Sequence, residues 1–155
     1  MKNICFTGHR NIKITQELRE RLYNLLETMI QNGAINFYAG GAIGFDTECE
    51  LIILKLREKY PNIKLHIIMP CPKEEQTRKW KKDNEKKLYY KILSLADSTE
   101  LCSEHYDKNC IKKRNARLVN LADCFVCYYY KSRSGTGQTI RMAQKNKLEI
   151  INLYE

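Results

Sequence analysis

INFYAGGAIGFDTECELIILKLREKYPNIKLHIIMPCP, residues 35–72, decides the fold. It opens with a short β-rich run, residues 35–39, that stops at Gly40-Gly41. Asp46 can then cap a helix that runs through Ile52, Ile53 and Leu56 and must end before Pro61. A second apolar run, residues 63–69, ends at Pro70 and Pro72. Strand, glycine loop, helix and strand in that order form a right-handed βαβ crossover. Such units build parallel sheets with helices on both faces.

The same alternation extends in both directions. Upstream, residues 2–7 (KNICFT) form a strand that meets Gly8. Thr15 can cap a helix whose Leu18, Leu22, Leu25, Leu26, Met29 and Ile30 share one face, and Gly33 stops it. Downstream, residues 74–96 read as a polar helix or helix pair, with Trp80, Leu88, Ile92 and Leu95 turned inward. A weak strand follows at 98–102, then a helix at 110–122. The continuous apolar run 124–130 (CFVCYYY) reads as a buried central strand. Residues 134–137 read as a turn, 138–146 as a helix and 149–153 as a last strand. The expectation is therefore an α/β fold: a Rossmann-like three-layer sandwich with a mostly parallel sheet of five to six strands. It forms one domain over residues 1–155.

Composition sets the frame for function. Of 155 residues, 43% are hydrophobic and 29% charged, enough apolar content for one core without metal or disulfide support. No apolar stretch is long enough to span a membrane, and the start MKNICFTGHR has no signal-peptide pattern, so a cytoplasmic location without membrane partners is expected. Seven cysteines, an odd number, read as free thiols in a reducing compartment. A zinc set of Cys102, His105 and Cys110 is the weaker alternative, and neither a metal nor a cofactor is expected. The net charge of +9 arises almost wholly between Lys108 and Lys147, where Asp123 is the single acid. That asymmetry favours an anionic partner, a phosphorylated small molecule or nucleic acid.

In parallel sheets, ligands bind beyond the carboxyl ends of the strands. Three polar loops follow strands here: Thr7-Gly8-His9-Arg10, the segment GGAIGFD with Gly40, Gly41, Gly44 and Asp46, and the segment SGTGQT with Ser134, Gly135, Thr136 and Thr139. Glycines let backbone N–H groups approach an anion, and a helix that starts directly after such a loop adds its positive end. Arg10 can bond a phosphate bidentately. His9 is read as a loop hydrogen-bonder, with a proton-carrier role as the alternative. Asp46 suits a ribose hydroxyl. Arg114 and Asn115 are candidates on the helix before the central strand, and Pro70 and Gln76 follow the third strand. Trp80, the single Trp, is read as core rather than as a base-stacking platform.

TGHR, GGAIGFD, LHIIMPCP with Gln76 and Trp80, Arg114-Asn115 with Leu121-Ala122-Asp123, and SGTGQT occur in an order that resembles the SLOG superfamily. That group holds the Smf/DprA DNA-processing proteins and the Lonely Guy phosphoribohydrolases. Within it, the likeness is to the small YpsA-like branch of bacteria and phages, and it covers nearly the whole chain. The resemblance implies a Rossmann-like fold, a nucleotide-related ligand at Gly8, Arg10, Gly40, Gly41, Gly44, Asp46, Gly135, Thr136 and Thr139, and a homodimer. The third loop departs from the phosphoribohydrolase pattern PGGxGTxxE: it reads SGTGQTIRM and lacks the closing glutamate. Reversible binding of a phosphorylated nucleotide derivative is therefore the leading expectation. A nucleotide N-glycosidase comes second and DprA-like single-stranded DNA binding third, with nucleic-acid affinity expected to be weak.

Overall fold

A computed structural model describes residues 2–130 and 133–154. The elements follow the order β1 (Asn3–Gly8), α1 (Gln16–Gln31), β2 (Asn36–Ala39), α2 (Phe45–Lys59), β3 (Lys64–Met69), α3 (Lys73–Gln76), α4 (Asp83–Leu95), β4 (Ser98–Leu101), α5 (Cys110–Leu121), β5 (Cys124–Tyr128), α6 (Gly135–Lys145) and β6 (Glu149–Asn152). All six strands are parallel, in the order β4-β3-β2-β1-β5-β6. The fold is the Rossmann-like sandwich that the alternating pattern implies.

Strand alternation sends side chains to two cores. Ile4, Phe6, Phe37, Leu65 and Ile67 face one side, packed against Leu22 and Leu26 of α1, Ile53 and Leu56 of α2, and Ile92 of α4. Cys5, Ile68 and Phe125 face the other side, against Leu118 and Val119 of α5 and Ala143 of α6. Thr15 caps α1 as its sequence position implies, its hydroxyl accepting from the Leu18 N–H at 3.1 Å. At the sheet's far end, Asp123 accepts from the N–H groups of Lys2 and Asn3 at 3.0 and 2.8 Å, which fastens the start of β1 beside β5.

Two local expectations change. Asp46 does not cap α2: the helix begins one residue earlier, at Phe45, with Gly44 in the cap position and no side-chain cap bond. Gly44 has φ +90, and a Cβ there would collide with the carbonyl of Arg10, so the second loop closes on the first only through a glycine. The segment 134–137 is not a turn. Ser134 is the N-cap of α6, its hydroxyl accepting from the Gly137 N–H at 2.9 Å, so the helix starts three residues sooner than its apolar face suggests.

Candidate functional site

The sheet order reverses direction between β1 and β5, and an open cavity of about 800 Å³ lies beyond the strand ends at that point. The first loop contributes Thr7, Gly8, His9 and Arg10 to its wall; the second contributes Ala42 and Asp46; the third contributes Ser134, Gly135 and Thr136. Gln76, Arg114 and Asn115 also line it. The chain thus gathers residues of all three loops at one edge of the sheet. Gly40, Gly41, Gly44, Pro70 and Thr139 lie outside the lining and act as supports. Thr139 is buried, and its hydroxyl donates back to the Gly135 carbonyl at 3.1 Å, so it offers nothing to a ligand as placed. Pro70 is buried after β3.

Asp46 and Arg114 form the floor. Arg114 is buried at 8% exposure, with Nη1 donating to the Gly40 carbonyl at 2.7 Å and Nε to Asn115 Oδ1 at 2.8 Å. A side chain at Gly40 would collide with that guanidinium, so the glycine is the space Arg114 occupies. Asn115 in turn reaches Gln138 Oε1 at 3.5 Å, joining α5 to α6. Asp46 is 5% exposed. Burial pushes its carboxyl up to about 6, against the pull of the Arg114 charge and of the backbone N–H groups of Ala42 and Gly40. Its Oδ1 is buried and has no hydrogen-bond partner, an acceptor left open on the wall of the cavity.

A second buried acid escaped the sequence reading. Glu50 lies one turn beyond Asp46 on α2, 1% exposed, and burial followed by the Asp46 charge raises its carboxyl well above the ordinary range. Its signal was the i, i+4 pair of acids in FDTECE, on the same face as Phe45, Cys49 and Ile53. Glu48, between them, points outward and pairs with Arg19 at 3.0 Å.

His9 is a loop hydrogen-bonder. Its Nε2 accepts from the Tyr130 N–H at 3.0 Å, which places the proton of a neutral ring on Nδ1, and its backbone N–H donates to the Tyr128 carbonyl at 3.2 Å. Gln76 bridges the second loop to α4: its amide nitrogen donates to the Gly41 carbonyl at 3.4 Å, and its oxygen accepts from the Tyr89 hydroxyl at 2.9 Å.

The apolar run 124–130 is not buried throughout. Strand β5 ends at Tyr128, and Tyr130 stands 45% exposed on the cavity wall. Its ring packs edge-on to His9 at 4.3 Å and against Tyr154 at 5.0 Å. Trp80 is likewise not purely core: half-buried, 5.4 Å from Tyr89, it also lines the cavity. The positive wall is not confined to the basic segment either. Arg114 and Arg133 come from it, whereas Arg10, Arg78 and Lys79 come from earlier loops.

Cys71, Cys102 and Cys110 are free thiols, and burial raises those of Cys71 and Cys102. Among the described residues, no group of three His, Cys, Asp or Glu side chains is placed to hold a metal, so the zinc alternative has no structural support. No helix among them is long and apolar enough to cross a membrane.

Comparison with known proteins follows the same lines. The family model YpsA, described as the YspA SLOG family, matches residues 4–153. The SPbeta prophage-derived protein YoqJ of Bacillus subtilis (strain 168) is 28% identical over 146 residues, covering 85% of this chain and 83% of that protein. Among solved structures, DNA processing protein A from Helicobacter pylori superposes with a TM-score of 0.67 at 20% identity, over 96% of this chain and 63% of that one; that protein binds single-stranded DNA. The molybdenum cofactor carrier protein from Chlamydomonas reinhardtii superposes with a TM-score of 0.58 at 13% identity, over 96% and 74%. At such identities these likenesses show the fold alone.

Proposed function

We propose, from the premise that this chain belongs to the YpsA SLOG family, that it reversibly binds a phosphorylated, nucleotide-derived small molecule in the cavity at the β1–β5 switch point. The phosphate sits between Arg10 and Arg133 at the N-terminus of α6, where backbone N–H groups and the helix dipole favour an anion. A ribose hydroxyl donates to Asp46. The observation that carries this reading is the open Oδ1 of Asp46, buried on the wall of a cavity whose other charged residues are cations, Arg10, Arg78, Lys79, Arg114 and Arg133, except for Glu75. The cavity's size falls within the range of small-molecule sites, roughly 300–1,000 Å³.

Binding is favoured over hydrolysis by the chemistry of the carboxyls. Cleaving an N-glycosidic bond builds positive charge on the ribose and needs a carboxylate to balance it or to activate water. The third loop supplies none. Asp46 is given to the ribose hydroxyl, Glu50 lies behind it and is not part of the cavity wall, and Glu75, which is, accepts from the Tyr106 N–H. The test is calorimetry with the four nucleoside 5′-monophosphates and ADP-ribose, followed by chromatography of the heat-denatured mixture. One of them binds and is recovered intact, and Arg10→Ala weakens it by roughly 1.5–3 kcal/mol, the scale of a hydrogen bond to a charged group. Unchanged affinity in Arg10→Ala removes the phosphate assignment. Catalytic release of free base, lost in Asp46→Asn, makes the protein a glycosidase instead.

A further inference from the structure

We propose that the half of the cavity toward β3 and β4 is a nucleobase subsite, with Tyr106 as its stacking platform and Trp80 and Ile111 as its apolar walls. The assignment rests on the nucleotide reading above and adds to it a direction: phosphate at the β1–β5 end, base at the other.

Three observations carry it. Tyr106 is 60% exposed and Ile111 40% exposed, and both line the cavity, so apolar surface is open to water there without a packing reason. Trp80, on the same side, is backed by Tyr89, whose hydroxyl is itself held by Gln76. The platform is also fixed in place. Glu75 of α3 accepts from the Tyr106 N–H at 3.0 Å, and its other oxygen lies 3.5 Å from His105 Nδ1. The connection between β4 and α5 is thus tied to α3 beside the cavity. With the backbone under it fixed by a carboxylate, the Tyr106 ring loses only its own side-chain freedom when a flat group stacks on it.

Topology sets the spacing. The phosphate end lies over β1 and β5, whereas Trp80 follows β3 and Tyr106 follows β4. Neighbouring strands are about 4.8 Å apart, so the strands that carry the two ends are two to four spacings apart, about 10–19 Å. Arg10 from one end and Trp80 and Tyr106 from the other line the cavity between those strands, which shortens the span that a nucleotide must bridge; a sugar phosphate alone fills only one end.

The experiment compares ribose 5-phosphate with the tightest-binding nucleoside 5′-monophosphate by calorimetry. The nucleotide binds the unmodified protein about tenfold more tightly, the size of one base–aromatic stack. Tyr106→Ala removes that ratio and leaves ribose 5-phosphate unchanged, while Tyr106→Phe keeps it. Glu75→Ala, which frees the connection but leaves the ring, lowers the ratio part of the way. Tyr130→Ala alters the other aromatic wall and leaves the ratio intact. Equal binding of the two probes, or a ratio that survives Tyr106→Ala or collapses in Tyr130→Ala, overturns the subsite while the phosphate site stands. If neither probe nor any nucleotide binds, the nucleotide reading falls and the subsite falls with it.

Discussion

Asp46 holds a carboxyl whose ordinary value is 3.8 at about 6, because burial outweighs Arg114 and two backbone N–H groups. As pH rises from 3.8 the unfolded chain releases this proton first, while the native state keeps it until about 6. The protonated carboxyl therefore stabilises the fold fully below 3.8, and that contribution is lost as pH rises through about 6. Its slope within the window is roughly 1.4 kcal/mol per pH unit. Asp46→Asn, which cannot titrate, should gain stability relative to the unmodified protein as pH rises from 4 to 7 in urea unfolding. A constant difference across that range would mean that Asp46 is not buried as described. At this scale the sequence was only partly legible. The place of Asp46 on the ligand edge followed from its glycine loop, but its burial did not, because a polar residue after glycines looks like an exposed cap. Tyr130 was misplaced for a related reason: an unbroken apolar run gives no sign of where the strand stops and the cavity wall begins.

Helix α6 shows an element serving two ends at once. Ser134 satisfies one of its free N–H groups, and the remaining N-terminal donors face the cavity where the phosphate is placed. Ser134→Ala should cost about 1 kcal/mol in urea unfolding, the usual loss of an N-cap. Ser134→Asp separates the two duties. An aspartate caps as well as serine, so stability holds, but its charge repels an anion, so nucleotide affinity in calorimetry should drop at least as far as in Arg10→Ala. Equal affinity in Ser134→Asp would move the phosphate away from α6. Helices α1 and α2 were legible from their 3.6-residue apolar faces and from Gly33 and Pro61 that end them, whereas Leu95 on α4, read as turned inward, is 44% exposed. The start of α6 was not, because SGTG has the composition of a turn and its serine could be read as turn or cap alike.

Over the whole molecule, the charge of +9 was expected to draw an anion, and the cations on the cavity wall come from several loops. For single-stranded DNA this gives a definite expectation. Affinity falls by about 0.7 log units per phosphate contact for each tenfold rise in salt. Exposed Tyr106 and Tyr130 offer two aromatic platforms that the sequence reading had not placed in reach of a ligand. They raise the case for nucleic acid only modestly, since successive bases need successive platforms. Fluorescence anisotropy with oligothymidine should show binding that disappears near physiological salt, and tight binding that survives it would put nucleic acid ahead of the small molecule. The parallel sheet, and the edge of it where the three loops meet, were legible from strand–helix alternation. The strand order was not: nothing in the local sequence says that the first strand pairs with the fifth.

That pairing also governs how the chain is made. β1 is made before both of its neighbours and finds β2 on one side. Its other side is completed by Cys124–Tyr128, with Asp123 fastening the N–H groups of Lys2 and Asn3. Until β5 is made, the centre of the future sheet is a raw edge, with its backbone donors and acceptors unpaired. The ligand edge cannot exist before that edge is closed, because the switch point is the gap between these two strands. Assembly of the site therefore waits on β5, made long after the strand it completes.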